Sequence, residues 1–104
     1  MSEKNLTKKN FDEVIGGDKP VLVDFHAPWC GPCQMMGPVV DELAKETKDV
    51  IVGKVNIDEE SEVAEKFHVM SVPTFLMFKE GKVINQIVGA VSKEMLVEMI
   101  DKVK

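Results

Sequence analysis

Ala27-Pro28-Trp29-Cys30-Gly31-Pro32-Cys33 contains both cysteines of this 104-residue chain and its only tryptophan. If Pro32 occupies the first turn of a helix, the two cysteines lie one helical turn apart, with Cα atoms separated by roughly 5 Å. A disulfide requires a Cα–Cα separation of about 4.4–6.8 Å, so this pair can open and close with little movement of the backbone. The spacing therefore predicts a redox switch.

The length and composition of the chain predict a single domain spanning residues 1–104 with an ordinary packed core. Two cysteines are too few for a small disulfide-stabilised protein, so the pair indicates chemistry rather than architecture. The net charge is −5 and all thirteen basic residues are lysine. Because arginine is the side chain best suited to base and phosphate contacts, we expect no binding of nucleic acid.

The first residues, Met1–Asn5, include no apolar segment of a secretory signal. No apolar run approaches the ~20 residues of a membrane span. We therefore expect a cytoplasmic monomer without membrane contact. Cysteine pairs in that compartment tend to be catalytic or metal-binding.

The spacing of apolar residues predicts four helices. The first is capped by Thr7 and ends at Gly16-Gly17, and the second follows the cysteines, with Pro38 inside it as the expected cause of a kink. Asp58 or Ser61 is expected to cap the third helix, and Ser92 the last.

The predicted strands are Pro20–Phe25, Val50–Ile57, Thr74–Lys79 and Val83–Val88, the last two joined by a tight turn at Glu80-Gly81-Lys82. Helices and strands alternate until this hairpin. The order indicates an α/β fold in three layers: a mixed β-sheet of parallel strands and an antiparallel hairpin, flanked by helices on both faces.

The chain resembles the thioredoxin family over nearly its whole length. A lone Cys-x-x-Cys is weak evidence, but the Gly-Pro dipeptide inside it, the preceding Trp29 and a later Val72-Pro73-Thr74 make the match specific. The matching segments are Val23-Asp24-Phe25, Trp29–Cys33, Pro38, Lys54–Asp58, Val72-Pro73-Thr74, Gly81 and Val88-Gly89-Ala90. The resemblance implies the three-layer thioredoxin fold and dithiol–disulfide exchange at the cysteine pair.

Cys30 is the predicted nucleophile. Just before a helix, its sulfur would face unpaired backbone N–H groups and the positive end of the helix dipole, which stabilise a thiolate. Cys33, one turn further along, is expected to be more deeply buried and to remain a thiol. Its predicted role is to attack the mixed disulfide and release the reduced substrate.

Asp24 is the one charge in an apolar strand, where loss of hydration should raise its pKa. The residues alone leave open whether it is a general base or a solvent-facing residue at a strand end. The resemblance implies the base that takes the proton from Cys33. Lys54, a lone charge in the next apolar strand, is then either the partner of Asp24 or a surface lysine.

The resemblance also implies a cis peptide bond between Val72 and Pro73 facing the dithiol, although most X-Pro bonds are trans. The backbone of Val72 would then pair with an extended substrate. Asp58 is expected to accept a hydrogen bond from the Trp29 indole, to cap the following helix, or both. A shallow apolar patch suited to protein substrates is predicted from Trp29, Gly31, Pro32, Val72, Pro73, Gly89, Ala90 and Val91.

Three residues near the cysteines depart from the family pattern. Many relatives have an aromatic residue at the position of His26, glycine is frequent at that of Ser71, and lysine or arginine at that of Gln34. His26 either supports the Cys30 thiolate electrostatically below its ordinary pKa near 6.5, or simply packs as a core or surface histidine.

The leading hypothesis is a general protein-disulfide reductase of the cytoplasm. It would need no bound cofactor, because its electrons reside in Cys30 and Cys33. The resemblance implies thioredoxin reductase as electron source and ribonucleotide reductase, peroxiredoxins or methionine sulfoxide reductases as clients. Three alternatives remain: a disulfide oxidase or isomerase, a zinc-binding protein that uses both cysteines with His26 or His68, and a subunit without a redox role.

Overall fold

The computed structural model describes residues 4–103 and contains a five-stranded sheet with four helices. Along the chain the elements are β1 (Lys4–Asn5), α1 (Phe11–Ile15), β2 (Val21–His26), α2 (Gly31–Glu46), β3 (Ile51–Asn56), α3 (Ser61–Lys66), β4 (Thr74–Lys79), β5 (Lys82–Val88) and α4 (Lys93–Asp101). The strand order is β1-β3-β2-β4-β5. Strands β1, β3 and β2 run parallel, whereas β4 and β5 form the antiparallel hairpin. The predicted mixed sheet is confirmed.

The sheet separates two apolar cores. Successive side chains of a strand point to opposite faces, so alternate residues of β2 and β4 enter different clusters. One cluster joins Leu22, Phe75 and Met77 to apolar residues of α2 and α4. The other joins Val23 and Leu76 to apolar residues of α1 and α3. Helices therefore cover both faces, as the three-layer prediction requires.

The N-terminal caps differ from two of the predictions. Asn10, not Thr7, is the N-cap of α1, and the Thr7 carbonyl accepts hydrogen bonds from the turn that leads into it. Glu60, not Asp58 or Ser61, is the N-cap of α3. In α4 the Ser92 hydroxyl accepts from the Met95 N–H at 3.3 Å, so this predicted cap is confirmed.

The two-residue strand β1 is absent from the sequence prediction. Lys4 and Asn5 are exposed and polar, so they carry no alternating pattern that would mark a strand. They pair with Gly53 and Lys54 of β3 at the sheet edge.

Helix α2 begins at Gly31 with Pro32 in its first turn, as the spacing of the cysteines requires, and Pro38 lies inside it. None of the helices in residues 4–103 is long and apolar enough to cross a membrane.

Candidate active site

Cys30 and Cys33 form a disulfide at the start of α2, with their Cα atoms 5.2 Å apart. Cys30 is the N-cap of the helix, and its Sγ accepts a hydrogen bond from the Cys33 backbone N–H at 3.1 Å. A backbone donor aimed at this sulfur, together with the N-terminal end of a 16-residue helix, favours negative charge on Sγ. The geometry therefore suits a stabilised Cys30 thiolate.

The expectation that Cys33 is buried more deeply than Cys30 is wrong. The two residues are 6% and 4% exposed, respectively. Both lie in one small cluster with Ala27, against which Ile57 and Val72 pack. Because these side chains cover the two sulfurs together, one helical turn makes no difference to burial in the disulfide state.

On its outer side the disulfide meets the loop that precedes β4. The Val72 carbonyl oxygen lies 3.7 Å from Cys30 Sγ, and the Val72–Pro73 peptide bond is cis, as the family resemblance implied. The Gly89 N–H donates to the Pro73 carbonyl at 2.8 Å, and the Thr74 hydroxyl donates to the Ser71 carbonyl at 2.7 Å. These bonds fix the conformation of the loop that faces Cys30.

Trp29 lies at the surface beside Cys30, with 68% of the residue exposed. Its indole Nε1 donates to Asp58 Oδ2 at 3.0 Å, so the predicted Trp29–Asp58 contact is confirmed. Asn56 orients Asp58, because its Oδ1 accepts the backbone N–H groups of Asp58 and Glu59. Asn56 is absent from the predicted site, although an Asn at a strand end is a recognisable signal for such a turn.

The other residues of the predicted apolar patch differ in exposure. Gly31, Pro32 and Ala90 are exposed, whereas Val72, Gly89 and Val91 are half-buried and Pro73 is buried. Val91 packs against the larger apolar core. Two exposed apolar residues absent from the prediction, Met35 (76%) and Met70 (95%), are close in sequence to Cys33 and Val72.

Gln34 bonds to the backbone on the Trp29 side of the cysteines. Its Nε2 donates to the Pro28 carbonyl oxygen at 3.0 Å. This contact ties the first turn of α2 to the loop that carries the tryptophan.

On its inner side the site includes a polar cavity of about 70 Å³. Its lining residues are Asp24, His26, Cys33, Gly37, Val40 and Lys54. Asp24 is only 5% exposed, so its interpretation as a solvent-facing residue at a strand end is wrong. Lys54 stands opposite Asp24 in the register of β2 and β3. The structure therefore brings the two predicted charged residues and Cys33 to one cavity.

His26 is half-buried at the end of β2. Burial lowers its pKa below the ordinary 6.5; the Lys54 ammonium lowers it further, and Glu59 offsets part of the shift. The imidazole is therefore neutral around neutral pH. Because it lines the cavity with Cys33, it belongs to the inner side of the site.

His68 is remote from this arrangement. It is exposed, with a φ of 58°, in the loop after α3, and it lines a different surface hollow with Met70 and Ser71. Within residues 4–103, no three His, Cys, Asp or Glu side chains are grouped so that they could hold a metal ion.

Comparisons with known proteins agree on one family. The thioredoxin family model matches residues 2–102. The thioredoxin of Alicyclobacillus acidocaldarius subsp. acidocaldarius is 51% identical over 92 residues, which cover 88% of each chain. The thioredoxin of Chlamydia pneumoniae is 46% identical over 99 residues, covering 95% of this chain and 96% of the relative.

Two solved thioredoxin structures share the fold of this chain at lower sequence identity. A mutant thioredoxin from Halobacterium salinarum superposes with a TM-score of 0.91 at 35% identity and covers 97% of this chain and 89% of its own. The thioredoxin of Malassezia sympodialis gives a TM-score of 0.89 at 38% identity, with 97% and 90% covered.

Proposed function

We propose that this chain, which belongs to the thioredoxin family and is a thiol–disulfide oxidoreductase, acts as a general protein-disulfide reductase. The observation that carries the proposal is the Cys30–Cys33 pair at the start of α2, bordered by the exposed Trp29. A client disulfide can approach along this border, and the helix start stabilises the attacking thiolate.

Cys30 is the nucleophile in the proposed reaction. Its thiolate attacks one sulfur of the client disulfide, forms a mixed disulfide and releases the other client sulfur as a thiolate. The backbone N–H of Cys33, 3.1 Å from Cys30 Sγ, supports the negative charge before the attack.

Cys33 resolves the mixed disulfide. Its thiolate attacks Cys30 Sγ, the intramolecular disulfide forms, and the second client sulfur leaves. Asp24 is the general base for this step, because its buried carboxylate lines the same cavity as Cys33. Lys54, in that cavity as well, acts on the charge of the carboxylate rather than on the sulfur.

Client binding uses the surface on the outer side of the disulfide. The exposed Trp29 supplies apolar area, Asp58 fixes its indole, and the Val72 backbone offers a short strand-like pairing edge. Gly31, Pro32, Pro73, Gly89, Ala90 and Val91 complete this proposed surface. A shallow surface fits a flexible protein segment better than a small ligand, which prefers a concave pocket.

The electrons come from a reductase. Thioredoxins in general receive them from thioredoxin reductase and pass them to disulfide clients. We propose this reductase for the present chain, with ribonucleotide reductase, peroxiredoxins and methionine sulfoxide reductases as cytoplasmic client classes. The dithiol carries the two electrons itself, so the proposed reaction requires no bound cofactor.

Two serine variants test the assignment of the cysteines. With thioredoxin reductase, NADPH and a disulfide-containing protein, we expect NADPH oxidation by the native chain and a fall of at least about a thousandfold in Cys30→Ser, the scale of losing a nucleophile. Cys33→Ser should instead accumulate a mixed disulfide with the client, visible by mass spectrometry. A mixed disulfide on Cys33 in the Cys30→Ser variant, with none on Cys30 in Cys33→Ser, would reverse the roles.

A further inference from the structure

We propose that His26 is a proton-relay residue, which passes the proton released by Cys33 from the buried Asp24 carboxylate to solvent. The inference deepens the proposed reductase function and rests on it.

The cavity behind Cys33 provides the path for the proton. Asp24 and His26 are two residues apart on β2, so both side chains leave the same face of the sheet. Both line the cavity together with Cys33. Its volume of about 70 Å³ exceeds the roughly 10–15 Å³ of such space that one water molecule needs, so the polar groups can be bridged by water.

Asp24 is only 5% exposed, so its carboxyl group has little direct contact with bulk solvent. Asp24 can take the Cys33 proton only when its own carboxyl group is unprotonated, so any proton on that group must leave before each resolving step. Two titratable residues of the cavity, His26 and Lys54, are half-buried and so reach toward solvent. The lysine ammonium has no acceptor site for a further proton, whereas a neutral imidazole has one.

Burial, with the neighbouring Lys54, keeps the His26 ring neutral. Burial and the Lys54 ammonium lower its pKa below the ordinary 6.5, and Glu59 offsets only part of that shift. A neutral ring accepts a proton on one nitrogen and releases one from the other. His26 can therefore take the proton from the Asp24 side and pass it to solvent without staying charged.

In the resolving step, the proton of Cys33 and the electrons of the dithiol each have a destination. Cys33 loses its proton and attacks Cys30 Sγ, so that the Cys30–Cys33 bond forms as the bond between Cys30 and the client breaks. Over the two exchange steps, two electrons pass from the dithiol to the client disulfide. The client thiolate that departs in the resolving step takes a proton from solvent. The Cys33 proton passes to Asp24, then to His26, and then to solvent.

Closure of the disulfide can be measured without a client protein. The Cys30 mixed disulfide with a small aromatic thiol is prepared at acid pH, where Cys33 stays protonated, and the pH is then raised. Absorbance of the released thiol reports the closure rate. In His26→Phe we expect closure about tenfold slower at neutral pH, below the full effect of an acid–base group. The native closure rate should show an inflection below pH 6.5, from the lowered pKa of His26, and this inflection should be absent in His26→Phe.

His26→Ala adds a measurement, rescue by imidazole, that should fail if His26 serves only in packing. This variant leaves room for a free imidazole molecule, so added imidazole should restore the closure rate in proportion to its concentration. His68→Asn is the matched control, because it removes the other histidine at an exposed left-handed position that asparagine tolerates. It should close at the native rate with the native inflection.

Two results would overturn the relay. One is closure in His26→Phe at the native rate with the native pH profile. The other is slow closure in His26→Ala that imidazole does not restore, with the inflection retained, since the ring would then only shape the cavity. Failure of the native chain to reduce protein disulfides would instead refute the proposed function, which this closure assay does not use.

Discussion

On its outer side, the Cys30–Cys33 disulfide meets the Val72 carbonyl oxygen, 3.7 Å from Cys30 Sγ, near the exposed Trp29. On its inner side, it meets a polar cavity of about 70 Å³ lined by the buried Asp24. The outer side offers apolar area and backbone groups, which bind an extended chain; the inner side offers titratable groups, which move protons. Client contact and proton transfer therefore use different neighbours of the same bond, and mutations should separate them.

The largest difference between the effects on the two sides is expected from Asp24→Asn, which keeps the shape of the side chain and removes its basicity. Closure of the mixed disulfide at neutral pH should slow about a hundredfold, the lower range for a general base. Reaction of Cys30 with a small disulfide should stay within about twofold, because helix N–H groups rather than Asp24 support that thiolate. Stopped-flow Trp29 fluorescence resolves the two phases. Equal slowing of both phases would mean that the two sides are not independent.

The outer side is tested by Trp29→Ala. Loss of the exposed ring should raise KM for a protein disulfide about tenfold, a typical cost for a central interface aromatic. The rate with a small-molecule disulfide should not change. Val83→Ala provides the control, because Val83 is also exposed (43%) but lies on β5 opposite Phe78, away from the cysteines. An equal KM increase in this control would mean that loss of any exposed apolar side chain, rather than of Trp29 in particular, weakens client binding.

A smaller effect on the same side is expected from Asp58→Ala, which removes the acceptor of the Trp29 indole at 3.0 Å. The ring remains but loses its fixed orientation, so KM for the protein disulfide should rise about threefold, the scale of one hydrogen bond. Asp58→Asn retains an acceptor oxygen and should stay closer to the native KM. If both variants behave alike, the carboxylate charge matters rather than the hydrogen bond.

The smallest effect is expected in the free energy of unfolding and comes from His26, on the inner side of the disulfide. The folded state lowers the pKa of His26 below its ordinary 6.5, so between those two values the unfolded chain binds more protons. The free energy of unfolding should therefore rise with pH through this window and be fully regained above 6.5. Denaturant titrations across this range should show that component in the native chain and in His68→Asn, but not in His26→Phe. The same slope in all three would place the linkage elsewhere.

Most of the fold could be predicted because apolar periodicity is strong where burial is strong. Strands β2 and β4 are buried at nearly every position, and their predicted ranges agree with the structure to within one residue. The missed strand β1 is two exposed polar residues, held by pairing with β3 rather than by its own pattern. The N-cap of α1 was misplaced because several polar residues near the helix start could serve. In the structure the Asn10 Oδ1 accepts from the Thr7 N–H and its Nδ2 donates to the Asn5 carbonyl, contacts that no apolar pattern predicts.

The position of the site could be predicted from the sequence, but the burial of its residues could not. The Cys30–Cys33 spacing and the Trp29–Asp58 contact agree with expectation. The equal burial of the two cysteines depends on Ile57 and Val72, which approach from other parts of the chain. Likewise, only the register of β2 with β3 and the packing of α2 on the sheet bring Lys54 and Cys33 to one cavity with Asp24 and His26.

The reduction potential of the Cys30–Cys33 pair tests the reductase assignment most directly. Equilibration with defined dithiol–disulfide mixtures, followed through Trp29 fluorescence, gives the two-electron midpoint. We predict a value near about −270 mV, the potential associated with thioredoxin. A midpoint of about −120 to −180 mV would instead indicate a disulfide oxidase or isomerase. No transition at all, with thiol counting to confirm it, would contradict a redox role for the pair.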